Sequence, residues 1–277
     1  MSHSGVADRP IGVFDSGIGG LSVLAALRAE LPRERFIYYA DAGHAPYGER
    51  GDDFVIARSR AIMRMMIEER GIKALVIACN TATAAASAQL RAELRAEGSE
   101  LPLIGVEPAL KPAAAATHTG HVGVLATRGT LASDKFRTLH QRLAHQAAFH
   151  LVACDGLASA IERDDTARID ELTAHYLRAL GPLGAVEGQI DTLVLGCTHY
   201  PFAAAALRRH VAPQVRLLDT GAPVARQTRR LLAAHGALND GASGALGDLV
   251  LETSGSPQAL NVAVARWLPP RHAHDAT

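Results

Sequence analysis

The sequence predicts an α/β fold made of two similar three-layer α/β domains with mainly parallel sheets. Three observations predict it. Short, β-branched apolar runs recur along the chain, longer Ala/Leu/Arg stretches of helical period separate them, and one of the runs occurs twice together with the motif that follows it.

In chain order, the run Ile11–Phe14 precedes a helix over Gly20–Glu30. Phe36–Ala40 precedes a helix over Asp53–Arg70, and Ala74–Ala78 leads into a helix over Ala82–Glu97. Leu103–Val106 ends this first series, and Val122–Ala126 opens the second. A helix over Asp165–Leu180 precedes the run Thr192–Gly196, with Phe202–His210 helical after it. Val215–Leu218 is the last run, followed by a helix over Pro223–His235. Each run is too short for a helix and rich enough in β-branched residues for a strand buried on both faces. Pro108, Pro112 and a stretch of alanines mark a break near Gly105–Thr119. The expected domains are 1-105 plus 220-277, and 106-219. The glycine-rich stretch Asn239 to Gly247 reads as a loop, and the residues from Pro269 onward are expected to fray.

Composition narrows the function classes. Apolar residues are 48% of the 277, enough for a real core, and aromatics are only 4%, so that core is aliphatic and alanine-rich. Acidic and basic residues balance at 28 each, with no basic stripe, which argues against nucleic acid or an anionic membrane as partner. Three cysteines without paired spacing argue against a disulfide framework and for a reducing compartment. A polar start without an apolar core argues against a signal peptide, and no stretch is long and apolar enough for a membrane span, so a cytoplasmic location is expected.

The duplicated motif carries the chemistry. Lys73-Ala-Leu-Val-Ile-Ala-Cys79-Asn80-Thr81 parallels Asp191-Thr-Leu-Val-Leu-Gly-Cys197-Thr198-His199. A fainter echo links Phe14-Asp15-Ser16-Gly17 with Leu218-Asp219-Thr220-Gly221. Open parallel sheets bind ligands beyond the carboxyl ends of their strands, and Asp15, Asp41, Cys79, Glu107, Thr127, Cys197 and Asp219 fall at such ends. Buried cysteines are commonly plain small hydrophobes. Cys79 and Cys197 each follow a strand, precede a polar pair and sit where a helix is expected to begin, a place whose amides stabilise thiolate. Cys154, in Ala153-Cys-Asp-Gly, has a weaker context and reads as structural. A zinc site on Cys197 and His199 would need ligands that no nearby Cys/His spacing supplies. A Cys/His hydrolase is disfavoured because residues two apart on a loop need not face each other, and the second cysteine would be idle. The glycines of Asp15-Ser-Gly17-Ile-Gly19-Gly20 match neither a P-loop nor a dinucleotide fingerprint and read as a tight turn.

Taken together, Ile11-Gly-Val-Phe-Asp15-Ser16-Gly17-Ile-Gly-Gly-Leu-Ser, Tyr39-Ala-Asp41, Pro46-Tyr47-Gly48, Ala78-Cys79-Asn80-Thr81-Ala82, Gly105-Val-Glu107-Pro108 and Leu195-Gly196-Cys197-Thr198-His199-Tyr200-Pro201 resemble the glutamate racemase family, within the wider aspartate/glutamate racemases. They occur in the family's order over roughly residues 11 to 236. The resemblance implies a racemase that interconverts L- and D-glutamate for peptidoglycan, without a cofactor, as a homodimer. Racemisation needs a base on each face of Cα. Two halves related by a pseudo-dyad would put one cysteine on each wall of a cleft between them. By resemblance Cys79 deprotonates the D-isomer and Cys197 the L-isomer, Asp15 assists Cys79, and His199 assists Cys197 with Glu162 orienting it. The same resemblance gives Asp15, Ser16, Tyr47, Gly48, Asn80, Thr81, Thr198 and His199 as substrate contacts. Their hydroxyls, amides and helix-start N–H groups suit two carboxylates and an ammonium. Thr127 and Thr130 are further candidates, with Thr130 equally a helix cap, and His44 reads as a loop surface residue. Lys73, Lys111 and Lys135 are the only lysines, and none lies in a strand-end motif suited to pyridoxal phosphate. No metal is expected. The few residues before Ile11 suggest no need for an activator. Aspartate or another amino acid as substrate, a decarboxylase of the same superfamily, and a non-catalytic binding protein on the same fold remain as rivals.

Overall fold

The structure is a computed structural model and describes residues 4–239 and 246–268. The glycine-rich stretch 240–245 and everything from Pro269 lie outside the described residues. Two compact units are present: one is formed by Met1–Val106 and Gly221–Thr277, the other by Glu107–Thr220.

The first unit begins with a short helix α1 (Ser4–Ala7), then β1 (Ile11–Asp15), α2 (Leu21–Glu30), β2 (Phe36–Ala40), α3 (Asp52–Glu68), β3 (Ala74–Ile77), α4 (Asn80–Ala96) and β4 (Leu103–Gly105). The second unit runs through α5 (Leu110–Ala116), β5 (His121–Ala126), α6 (Arg128–Ala132), α7 (Asp134–Leu143), β6 (Ala148–Ala153), α8 (Leu157–Glu162), α9 (Thr166–Leu180), β7 (Thr192–Gly196), α10 (Ala204–His210) and β8 (Arg216–Leu218). The chain returns to the first unit with α11 (Gly221–Ala234), β9 (Leu249–Thr253) and α12 (Pro257–Trp267).

Every named strand pairing is parallel. The first sheet has the order β4-β3-β1-β2-β9, the second β6-β5-β7-β8. Read from its other edge, the second sheet is β8-β7-β5-β6, the same winding as β4-β3-β1-β2. The central strands explain why the apolar runs were visible: β1, β3 and β7 are buried along their whole length, so both faces are filled with apolar side chains, and polar residues occur only at the strand ends, Asp15 closing β1 and Thr192 opening β7.

This common winding corrects the fainter sequence echo. It makes β7 the counterpart of β3 and β5 the counterpart of β1, so β8, which ends before Asp219, matches β4 and not β1. Asp15 and Asp219 are therefore not equivalent. The predicted break near Gly105–Thr119 holds the passage between units at Val106 and Glu107, yet its alanines form α5. Pro112 is tolerated there because it falls in the first helical turn, where no intrahelical amide bond is lost.

Candidate active site

The winding decides where chemistry can occur. In the first sheet β1 connects to β2 on one side, while β3 connects to β4 on the other. The loops leaving β1 and β3 therefore diverge, the arrangement at which open parallel sheets bind ligands beyond the carboxyl ends of their strands. Asp15 ends β1 and Ser16 follows it, and Cys79 and Asn80 follow β3. In the second sheet the diverging pair is β5 and β7, followed by Thr127 and by Cys197. Each cysteine thus stands at the switch point of its own sheet.

Cys79 is 5% exposed and caps α4: its sulfur accepts a hydrogen bond from the amide of Ala82 at 3.4 Å. That amide and the helix dipole favour negative charge on sulfur. The thiol also approaches Ser16 Oγ at 3.7 Å. Asp15 is fully buried, and its Oδ2 accepts from the amides of Gly17 and Gly20 at 3.1 and 3.0 Å. A Cβ on Gly20 would lie 2.6 Å from Asp15 Cβ, so this glycine is needed for the carboxylate to tuck under the turn. Asn80 is 4% exposed, and neither atom of its carboxamide finds a hydrogen-bond partner among the described residues. A buried amide in that state costs free energy that a ligand can repay.

Cys197 is supported differently from the expectation. It is followed by a turn and a short 3-10 stretch, Tyr200–Ala203, rather than by an α-helix. Its partner is a side chain: Cys197 Sγ lies 3.6 Å from His199 Nδ1, and His199 Nε2 lies 2.6 Å from Glu162 Oε1. The turn brings residues two apart face to face, which removes the geometric objection to a Cys–His pair. Burial opposes a charged His199, but Cys197 and Glu162 outweigh it and raise the pKa well above the ordinary imidazole value. Glu162, the last residue of α8, needed tertiary structure to be placed, because nothing local ties it to His199.

Other candidates divide. Thr198 is buried beside the pair, and Ser16 and Thr81 are buried as well. Thr127, not Thr130, caps α6, and the Thr127 hydroxyl donates to Thr130 Oγ1 at 2.9 Å. Cys154 is buried, and burial together with Cys197 nearby pushes its thiol pKa far up, in keeping with a structural role. His44 is half exposed, with Nδ1 3.0 Å from Asp41 Oδ1. Tyr47 is fully buried and its hydroxyl donates to Asp41 Oδ2 at 2.5 Å, so that proton is not free for a substrate. Arg58 and Ser254 share Asp41 with it; neither was signalled by the sequence, since Arg58 is one arginine among several on α3 and Ser254 comes from the far end of the chain. Among the described residues no helix is long and apolar enough to cross a membrane.

Known proteins resemble this chain in sequence and in fold. Residues 18–228 match the family described as Asp/Glu/Hydantoin racemase. A glutamate racemase of Pseudomonas putida strain W619 is 46% identical over 261 residues, covering 93% of this chain and 94% of its own. The crystal structure of the glutamate racemase isoform RacE1 from Bacillus anthracis superposes with a TM-score of 0.80 at 31% identity, covering 94% of each chain. That of Escherichia coli glutamate racemase, in complex with L-glutamate and the activator UDP-MurNAc-Ala, gives 0.75 at 31% identity over 94% of this chain and 95% of that one. The chain belongs to the Asp/Glu/hydantoin racemase family.

Proposed function

We propose that this protein is a cofactor-independent glutamate racemase that supplies D-glutamate for peptidoglycan in the cytoplasm, with Cys79 and Cys197 as its two bases. The observation that carries the reading is the repeated winding: each of two like sheets sets one cysteine at its switch point, Cys79 against a helix-start amide and the Ser16 hydroxyl, and Cys197 against His199. Glutamate as substrate is supported by the relatives and by the unpartnered Asn80 carboxamide, which can donate to a carboxylate and accept from an ammonium.

The chemistry follows from those groups. One cysteine, as thiolate, takes the α-proton and becomes thiol, and the electron pair left on Cα delocalises into the carboxylate. The other cysteine, as thiol, gives its proton to the opposite face and becomes thiolate. The configuration is inverted, and the pair has exchanged protonation states. Asp15 serves the Cys79 side. On the other side a protonated His199, held by Glu162, stabilises the Cys197 thiolate and can return its proton. For the L-isomer Cys197 takes the proton, and for the D-isomer Cys79 does. Lys73 is paired with Glu34 Oε2 at 2.5 Å in the core, which supports a route without a Schiff base.

The test is incubation with L- or D-glutamate in D₂O, following optical rotation and α-deuterium by NMR. Wild type loses rotation from either isomer and gains deuterium at Cα, while Cys79→Ala and Cys197→Ala each abolish racemisation. Exchange of aspartate but not glutamate would overturn the substrate and keep the two-thiol chemistry. No exchange with any amino acid would leave a binding protein on this fold.

A further inference from the structure

The Pro46-Tyr47-Gly48 turn is held by a charge network that the cysteine chemistry leaves unexplained. At its centre Asp41 is fully buried at the end of β2. Arg58 of α3 grips it with two prongs, Nε to Oδ2 at 2.9 Å and Nη2 to Oδ1 at 2.8 Å. Ser254 Oγ, just past β9, donates to Oδ1 at 2.7 Å and accepts from the amide of Gly43 at 3.1 Å. Tyr47 donates to Oδ2, and His44 Nδ1 lies 3.0 Å from Oδ1. Burial opposes the charge on Asp41, while the Arg58, Tyr47 and Ser254 bonds lower its pKa below the usual carboxylate value.

The network points toward Cys79. Tyr47 shares one apolar cluster with Cys79 and Ala82, and the turn at Tyr47–Glu49 packs on α4, the helix that Cys79 caps. The turn, α3 and, from the far end of the chain, the segment after β9 thus converge on one carboxylate whose output is the placement of a single ring beside a reactive sulfur. A bidentate Arg–carboxylate pair fixes direction as well as distance, which a lysine in the same place cannot do.

We propose that Asp41 and Arg58 are positioning residues that hold Tyr47 and the turn at 46–48 over Cys79, setting the access of that sulfur and the fit of the substrate. The substrate part rests on the racemase reading; the access part does not. Arg58→Lys keeps the charge and loses the fork, and Ser254→Ala removes one donor. Both are compared with wild type by the rate of Cys79 alkylation with iodoacetamide, read by peptide mass spectrometry with Cys154 and Cys197 as internal references. Cys79 alkylation rises about fivefold in each variant, the scale of one lost hydrogen bond, while the two references hold steady. In the same preparations KM for both glutamate isomers rises with kcat little changed. Unchanged Cys79 reactivity, or an equal rise at all three cysteines, would overturn the proposal in favour of a merely stabilising ion pair. A fall in kcat at constant KM with a displaced pH profile would also overturn it, making Asp41 a proton-transfer group. If wild type racemises nothing, the alkylation arm still decides the access of Cys79 and the racemase reading fails separately.

Discussion

At the scale of single residues, the two sulfurs are handled by different physics. The Cys79 sulfur accepts from a backbone amide at a helix start, and neither that amide nor the helix dipole titrates, whatever Asp15 adds. Cys197 draws on His199, whose charge depends on pH and on Glu162. His199 has a raised pKa, so folding favours its charged form: that contribution to stability is present below the ordinary imidazole pKa and lost as pH climbs through the raised value. Glu162→Gln keeps an acceptor at Nε2 and removes the negative charge. The pKa of His199 then falls, and the alkaline limb of kcat/KM with L-glutamate moves down by roughly one pH unit. A limb that stays in place would show that Glu162 orients the ring without setting its charge. The sequence alone made both cysteines visible, because each ends a buried strand in a repeated motif. It left the Asp41 network unread, since Arg58 and Ser254 become meaningful only when α3 and the end of β9 meet β2.

At the scale of elements, legibility followed the continuity of the apolar run. Strands β1, β3 and β7 stood out as unbroken apolar runs. The edge strands β6 and β9 were missed because His150 and Glu252 break their apolar runs, and Leu151 is 38% exposed and Val250 45%; the edge strand β8 is no better buried, and its run was visible because Val215, Leu217 and Leu218 flank a single arginine. Among the helices, α7 was missed because its sequence, DKFRTLHQRL, buries only Phe136 and Leu143. At the start of α4 the Cys79 sulfur is the cap, and the proposed chemistry makes the same atom the base. Cys79→Ser keeps an acceptor for the Ala82 amide, whereas Cys79→Ala does not. The alanine variant is therefore less stable by about 1 kcal/mol, and the serine variant stays close to wild type, although both lack racemase activity. Urea denaturation separates them; equal stabilities would show that the sulfur contributes nothing to the helix start.

At the scale of the whole molecule, the first unit must be assembled from two distant stretches of chain. β9 pairs with β2, and α11 packs against α2, so the unit is incomplete until the chain has returned at Gly221. A buried ion pair ties these stretches at the amino ends of the strands, away from the cysteines. Lys73 Nζ reaches Glu34 Oε2 and the carbonyl of Ala7, both at 2.5 Å, and Glu34 Oε1 accepts from the amide of Asn239 at 2.8 Å. Both side chains are essentially unexposed, 0% and 1%. Removing one partner from such a pair leaves a buried charge uncompensated, at a cost of about 3–5 kcal/mol, while replacing both is far milder. Lys73→Met is therefore expected to lower the urea midpoint sharply, and Lys73→Met with Glu34→Gln, which keeps an acceptor for Asn239, recovers most of the loss. The only tryptophan, Trp267, sits in α12 of this same unit, so its fluorescence follows the unit directly. If the double variant is no more stable than the single one, the pair acts through its contacts to Ala7 and Asn239 rather than through its charge balance.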